Sequence, residues 1–358
     1  MKNLTFFQIL LFIVPVVFLS GQSNKSIKAV KFRQPPVIDG NVEEDVWQQA
    51  EAVEGFIQFE PENGQPSLLR TIARVGYGDE ALYVAFTCYD PELEGIAAAV
   101  IKRDGDLKDD DAVFIMLDTF NDNSTSSYFI TNSLGTQADG KIADNGRSHD
   151  EKWDATWFSA AARIPDGWTA EFAIPLRILK YHSGDNQTWG LNLGRYYPRR
   201  LEVSLWSGPV EHERRVSQFG DLNGLDLQAQ VKRYEIIPYA LSQVEQGNAT
   251  EGKAGLDVRY RLSNNLSADL TVNPDFATIE ADVEKINLTR FELSISEKRP
   301  FFLEGAEMFR QRIRQFYSRR IGDIPWGSKL TGKIQSWDLS VLNTQSQSIN
   351  SNLEGPGA

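Results

Sequence analysis

The sequence predicts an all-β chain, an antiparallel β-sandwich followed by a further antiparallel sheet, and three observations predict it. Short runs of β-branched and aromatic residues recur between explicit turn signals over residues 27–225. Helical periodicity is scarce throughout that stretch. After a composition shift at residues 222–232, the runs become segments in which apolar and polar residues alternate.

The first element is a leader. Lys2 precedes an apolar run over residues 4–19, broken only by Thr5, Gln8 and Pro15 and followed by the small residues Ser20, Gly21 and Ser23. This is the pattern of a signal peptide over residues 1–23, cleaved near Gly21 or Ser23, and it makes the chain an exported one. The run is shorter than the ~20 residues that span a bilayer. No cysteine follows it, which argues against a lipid anchor.

The sandwich strands are expected at 71–76, 81–89, 112–118, 128–132, 156–163, 168–174, 190–196 and 202–206. Tight reversals separate them at Gly78-Asp79, Asp90-Pro91, Asp139-Gly140, Pro165-Asp166-Gly167 and Ser207-Gly208-Pro209. One short helix is expected at 43–51, with Trp47 on its apolar face, and a helical turn after Pro175 in PLRILK.

Without residues 1–23 the chain holds 49 acidic against 36 basic residues, a net charge of −13. That excludes nucleic acid as an expected partner, because phosphate binding needs a basic surface. The lone Cys88 forms no internal disulfide and sits in an alternating strand, where a free cysteine packs as a small apolar residue. A thiol nucleophile needs a positioned histidine, and His149, His182 and His212 stand in no catalytic pattern. Nor can they supply an HExxH metal site. No catalytic residue is assigned and no enzyme is expected; a glycosidase needs two carboxylates facing across a cleft, which sequence proximity does not establish.

Seven aspartates crowd RDGDLKDDDAVFIMLDTFND: Asp104, Asp106, Asp109, Asp110, Asp111, Asp118 and Asp122. Adjacent carboxylates repel unless water or a cation screens them, and calcium takes six to eight oxygen ligands. The spacing is not that of an EF-hand. Two readings stay open, a solvated acidic loop and a calcium site with Asp104, Asp106, Asp109 and Asp111 as ligands.

PPVIDGNVEEDVWQQA, DEALYVAFTCYDPE, DDDAVFIMLDTFND, the WDATW block and DGWTAEFAIPLRIL together resemble a family 9 carbohydrate-binding module over most of residues 35–221. The resemblance implies a sandwich that binds glycan or polysaccharide without cleaving it, often with bound calcium. Sugar recognition needs flat apolar surface against ring C–H faces, and Trp47, Trp168 and Trp189 read instead as core. Trp153 and Trp157, four apart, fall on one face of a strand, so one of them is a candidate platform. In the family, one aromatic of the ligand clamp precedes the strand matching 112–118, and the other follows the Trp-Ser near the domain end. Here those windows read LKDDDAV, with Lys108, and GPVEHERRVSQ, with Arg214 and Arg215, and hold neither Trp nor Tyr. These three cations join the two tryptophans as candidate ligand contacts.

In the second region, 234–244, 256–262 and 266–272 alternate in the manner of transmembrane barrel strands, or equally of a sheet in water. NPDF, INLTRFE, EKRPFFLEG, YSRRIG and KLTGK resemble the entry segment of an uncharacterised outer-membrane β-barrel family of Gram-negative bacteria. The resemblance implies that residues 232–358 are the partial antiparallel sheet of an incomplete β-barrel, its remainder lying beyond this chain. Five or six strands fit there, short of the eight of the smallest membrane barrels. Tyr239, Tyr260, Phe276, Phe291, Phe301, Phe302 and Trp326 are candidate interfacial aromatics. Arg310, Arg312, Arg314, Arg319, Arg320, Lys329 and Lys333 form a basic cluster, facing either lipopolysaccharide phosphates or acids within the fold. The expected function is glycan binding at the outer membrane in service of carbohydrate breakdown. The alternatives are a transport or assembly component with the sandwich as a docking or plug module, and a glycoside hydrolase accessory or O-glycosyl hydrolase.

Overall fold

The computed structural model describes residues 25–228, 234–243, 251–274, 297, 299–303, 305, 316–321, 324–334 and 337–345. The leader, most of the stretch from Asn273 to Gly305, and Arg310, Arg312 and Arg314 lie outside the described residues.

Fifteen strands build two facing sheets. In chain order they are β1 (Ser26–Lys28), β2 (Val30–Lys31), β3 (Ala52–Val53), β4 (Ile57–Glu60), β5 (Thr71–Tyr77), β6 (Ala81–Tyr89), β7 (Ala112–Asp118) and β8 (Ser126–Asn132). There follow β9 (Gln137–Ala143), β10 (Ser148–Asp150), β11 (Phe158–Ile164), β12 (Gly167–Pro175), β13 (Gly184–Tyr197), β14 (Glu202–Leu205) and β15 (Gly220–Leu227). The larger sheet runs β1-β15-β13-β7-β8-β9-β10, with β14 joined to β13 and β4 to β14. The smaller runs β11-β12-β6-β5-β2, with β3 on β5. Pairing is antiparallel except for the two short N-terminal strands, which add parallel to β15 and β5.

Between the sheets lies one core that takes alternate residues from each, including Val84, Phe86 and Cys88 from β6, Val113, Ile115 and Leu117 from β7, and Trp168, Phe172 and Ile174 from β12. Strands β7 and β12 are buried at every residue, because each is covered on its outer face as well. The outer residues of β7, Ala112, Phe114 and Met116, belong to a second apolar cluster. Those of β12 face a third, around Trp47 and Phe32. Here Glu171 is fully buried and accepts from the Asp39 amide (3.0 Å), the Gly40 amide (2.7 Å) and the Trp47 indole (2.8 Å).

The helix expected at 43–51 is instead a single 3₁₀ turn, Trp47–Gln49. Asp39 and Asn41 take the Asn41 and Glu43 amides on their side chains, and such local bonds compete with helix formation. Trp47 is held by Glu171 rather than by a helix face. The turn after Pro175 forms at Leu176–Ile178.

A third antiparallel sheet has the order β16 (Tyr234–Gln243), β17 (Glu251–Ser263), β18 (Leu266–Val272), β19 (Trp326–Ile334) and β20 (Trp337–Gln345). It is not closed into a barrel among the described residues. Its burial is inverted relative to a sheet in water. On β18, Ser267, Asp269 and Thr271 are buried while Leu270 and Val272 are exposed; on β19, Lys329, Thr331 and Lys333 are buried while Trp326 and Ile334 are exposed. Glu235, Arg259, Asp269 and Lys329 are direct cross-strand neighbours in turn, a ladder of alternating charge over four strands. Opposite charges at such positions attract; Arg259 Nε lies 2.7 Å from Asp269 Oδ1 and Arg259 Nη1 3.7 Å from Glu235 Oε2.

The polar side of this sheet meets the sandwich. Lys333 Nζ reaches Asp122 Oδ2 at 2.8 Å and Asp338 Oδ1 at 3.0 Å. Lys180 Nζ approaches Thr331 Oγ1 at 3.4 Å, and Arg261 donates to the Arg177 carbonyl. Lys329 donates to the Phe301 carbonyl, so both described lysines of the basic cluster are compensated within the fold.

Candidate functional site

The outer face of β7 and its neighbours would be exposed if nothing covered it. Two loops do so, residues 99–109 before β7 and 207–219 before β15, packing Leu107, Val210, Val216 and Phe219 onto Phe114, Met116, Tyr128 and Tyr196. Where they meet, Lys108 Nζ lies 3.3 Å from Glu213 Oε2. Tyr196 donates its hydroxyl to the other oxygen of Glu213 and places its ring centroid 5.6 Å from Lys108 Nζ. The two windows that the family resemblance assigns to the clamp are therefore adjacent in space, bridged by an ion pair in place of two aromatics.

Next to this pair the Arg214 guanidinium lies 5.9 Å from the centroid of Tyr128. Tyr128 stands directly across from Gly140, where a Cβ would come within 2.4 Å of the Tyr128 oxygen and 2.5 Å of the Asp150 carbonyl. Burial pushes both phenols up. For Tyr196 the Glu213 carboxylate adds to the shift; for Tyr128 Glu151 adds to it and Arg214 opposes it. Both therefore stay protonated donors at neutral pH. Asn145 fixes the loop through Ser217, accepting from its amide at 2.9 Å and donating to its hydroxyl at 3.0 Å. Arg215 turns away to Glu211 at 3.4 Å.

Of the five candidate contacts, Lys108 and Arg214 are brought together at this face and Arg215 stands at its margin. The tryptophans belong elsewhere. Trp157 is 3% exposed and stacks on Phe172 with centroids 5.5 Å apart and planes 3° from parallel. Its indole donates to Asp139 at 2.7 Å, so neither face is free for a sugar. The expected pairing on one strand face fails because β11 begins only at Phe158 and residues 153–157 are not in a strand. Trp153 is half-buried, edge-on to Phe129, with Lys141 Nζ 4.2 Å from its ring centroid.

The four candidate calcium ligands do not converge. Asp111 is fully buried and accepts the Ala97 amide at 2.8 Å, while its other oxygen lies 3.9 Å from Arg195. Asp106 caps the turn at Lys108 through that residue's amide, Asp104 sits beside Arg103, and Asp109 is exposed. The neighbouring Asp110 accepts the Ala99 and Val100 amides, each at 2.9 Å, and the Asn132 amide group at 2.8 Å. Among the described residues no three His, Cys, Asp or Glu side chains are grouped to hold a metal. This arrangement does not fit the calcium site expected, because Asp111 and Asp106 are turned to separate backbone amides, Asp104 to Arg103 and Asp109 to solvent.

Tyr128, Tyr196 and Glu213 were not among the sequence-derived candidates. A signal for them was present: the unbroken apolar run of β7 requires a covered outer face, and Tyr128 and Tyr196 pair across from Met116 and Ala112 on that strand. A shallow depression lined by Ser26, Ile27, Lys28, Asn186, Asn223 and Gly224 lies at the opposite edge of the larger sheet and presents no aromatic ring.

Comparison with known proteins finds matches for two separate stretches of the chain. Residues 231–350 match a domain of unknown function (DUF5916). No curated protein matches the chain. Two solved structures of a carbohydrate binding module family 9 from Caldicellulosiruptor kristjanssonii, in complex with glucose and with cellotriose, are each 19% identical with TM-scores of 0.42. Each match covers 56% of this chain, and 95% and 93% of the respective module. Residues 38–201 match the family described as carbohydrate family 9 binding domain-like, and the sandwich is a domain of that kind.

Proposed function

We propose that the sandwich, residues 27–225, binds a glycan without covalent chemistry at the outer face of its larger sheet. The observation that carries this reading is the meeting of Lys108 with Glu213 in the two loops that the family resemblance assigns to ligand contact. Lys108 and Arg214 supply charged donors to sugar hydroxyls, and Tyr128 supplies a phenol. Glu213 has one oxygen engaged by Lys108 and the other by Tyr196, which suits an acceptor held in place and not a proton shuttle. A glycan array of the full chain, with and without calcium, tests the proposal. Binding should occur and should weaken in Lys108→Ala; no binding in either condition overturns it.

A second reading concerns the third sheet. Its apolar residues Leu270, Val272, Trp326, Ile334, Trp337 and Val341 are exposed while Ser267, Asp269 and Thr271 of β18 and Lys329, Thr331 and Lys333 of β19 are buried, which supports a lipid-facing outer side and an outer-membrane location for an exported chain. The sheet is then part of a barrel, and the sandwich a glycan receptor on it serving carbohydrate breakdown. Fractionation of the full chain in a Gram-negative host should recover it with the outer membrane, resistant to carbonate extraction. Recovery in the aqueous fraction would refute this second reading alone.

A further inference from the structure

The cations around the candidate site are nearly all neutralised by neighbours. Lys108 faces Glu213 at 3.3 Å, Arg215 faces Glu211 at 3.4 Å and Arg147 faces Asp144 at 3.3 Å. Arg103 is taken by Asp139 at 2.5 Å and Asp154 at 2.9 Å. Arg214 is different. Among the described residues no carboxylate lies within 4.0 Å of it, and its guanidinium donates to no described group. Only its backbone amide is engaged, by His212 Nδ1 at 3.2 Å.

The loop that carries the guanidinium is fixed. Arg214 is half-buried, its carbonyl lies 2.4 Å from where a Cβ on Gly146 would sit, and the Asn145 to Ser217 pair fixes the loop that carries it. Beside it, the Tyr128 hydroxyl makes no hydrogen bond with another described residue. A fork of donors without an acceptor, carried on a fixed loop next to a protonated phenol in a chain of net charge −12, suits an external anion. The planar guanidinium matches a carboxylate through two parallel bonds, a geometry that Lys cannot reproduce.

We propose, resting on the glycan-binding reading above, that the site selects acidic glycans, with Arg214 forking the carboxylate of a uronic acid and Tyr128 donating to the same sugar. Lys108 and Glu213 then contact the ring hydroxyls and set its orientation.

The test measures binding of the full chain to trigalacturonate and to a glucuronate-substituted xylotriose, each beside its methyl ester, and to a neutral glucose trisaccharide. At least one acid should bind about ten- to a hundredfold more tightly than its ester, the range set by a charge-assisted hydrogen bond. That preference should vanish in Arg214→Gln and fall in part in Arg214→Lys, with unfolding transitions like that of the parent. Equal binding of acid and ester overturns acidic selection and leaves glycan binding standing, as does binding of the neutral sugar alone. An acid preference unchanged in Arg214→Gln overturns the role of Arg214. Failure to bind any of these sugars overturns acidic selection, and a glycan array without a hit overturns both readings.

Discussion

Lys333 of the third sheet and Asp122 of the sandwich form a shielded ion pair at 2.8 Å, and their side chains are 10% and 16% exposed. Asp122 also receives the amides of Ser124 and Thr125 and the Thr125 hydroxyl, each at 2.7 Å, so its loop is shaped before the lysine arrives. Removing one partner of such a pair strands the other charge. Lys333→Met is expected to lower stability by about 2–4 kcal/mol. The double substitution with Asp122→Asn should cost less than the sum of the two singles, as read by urea unfolding of all four proteins.

Four residues before Asp122, at the end of β7, Asp118 sets a pH dependence. Its carboxyl is pushed up to about 7 by burial and by the Asp122 charge, against the amides of Asn123 and Asp122 that favour ionisation. Its ordinary value is 3.8, so between those two values the folded chain holds a proton that the unfolded chain has lost. The contribution is complete below the lower value and disappears as pH rises through about 7. Unfolding free energy should therefore fall with rising pH across that window by up to about 1.4 kcal/mol per unit, and Asp118→Asn should flatten the decline. A pH profile identical in the variant would contradict this.

Gly140→Ala should disturb the candidate site through Tyr128. The new methyl would press on the Tyr128 oxygen and on the Asp150 carbonyl, and the second of these is backbone that cannot swing aside. Overpacking of this kind costs about 1–3 kcal/mol. Denaturant titration should show the loss, and glycan affinity should drop with it; a variant with parental stability would refute the close packing.

Cys88 should resist alkylation in the folded chain. It is fully buried, and its thiol is pushed up to about 12, chiefly by burial. Iodoacetamide should label it only after unfolding, at a rate tied to the unfolding equilibrium. Rapid labelling under native conditions would show an opening at β6.

The strands of the sandwich were legible because their turns are chemically explicit; β7 falls on its expected residues, and the ends of β5, β6 and β12 fall within one residue. The helix around Trp47 was misread because its apolar spacing is the same whether Trp47 lies on a helix or is tied to Glu171, 124 residues away. The same limit applies to Trp157, whose partner Phe172 belongs to another strand. The aspartate cluster was ambiguous because sequence shows that carboxylates are adjacent but not which amides they turn to. Lys108 and Arg214 were reachable through the family resemblance, whereas Glu213 and Tyr196 acquire meaning only once the loops close over β7.

The ladder of Glu235, Arg259, Asp269 and Lys329 has a consequence at longer range. Its signs cancel in pairs, so it projects almost no field a few ångströms away, although its Asp269 and Lys329 end is buried on the side that meets the sandwich. A single neutralising exchange, such as Asp269→Asn, would leave an uncancelled positive charge in the middle of the stripe, next to the joint between the sheet and the sandwich.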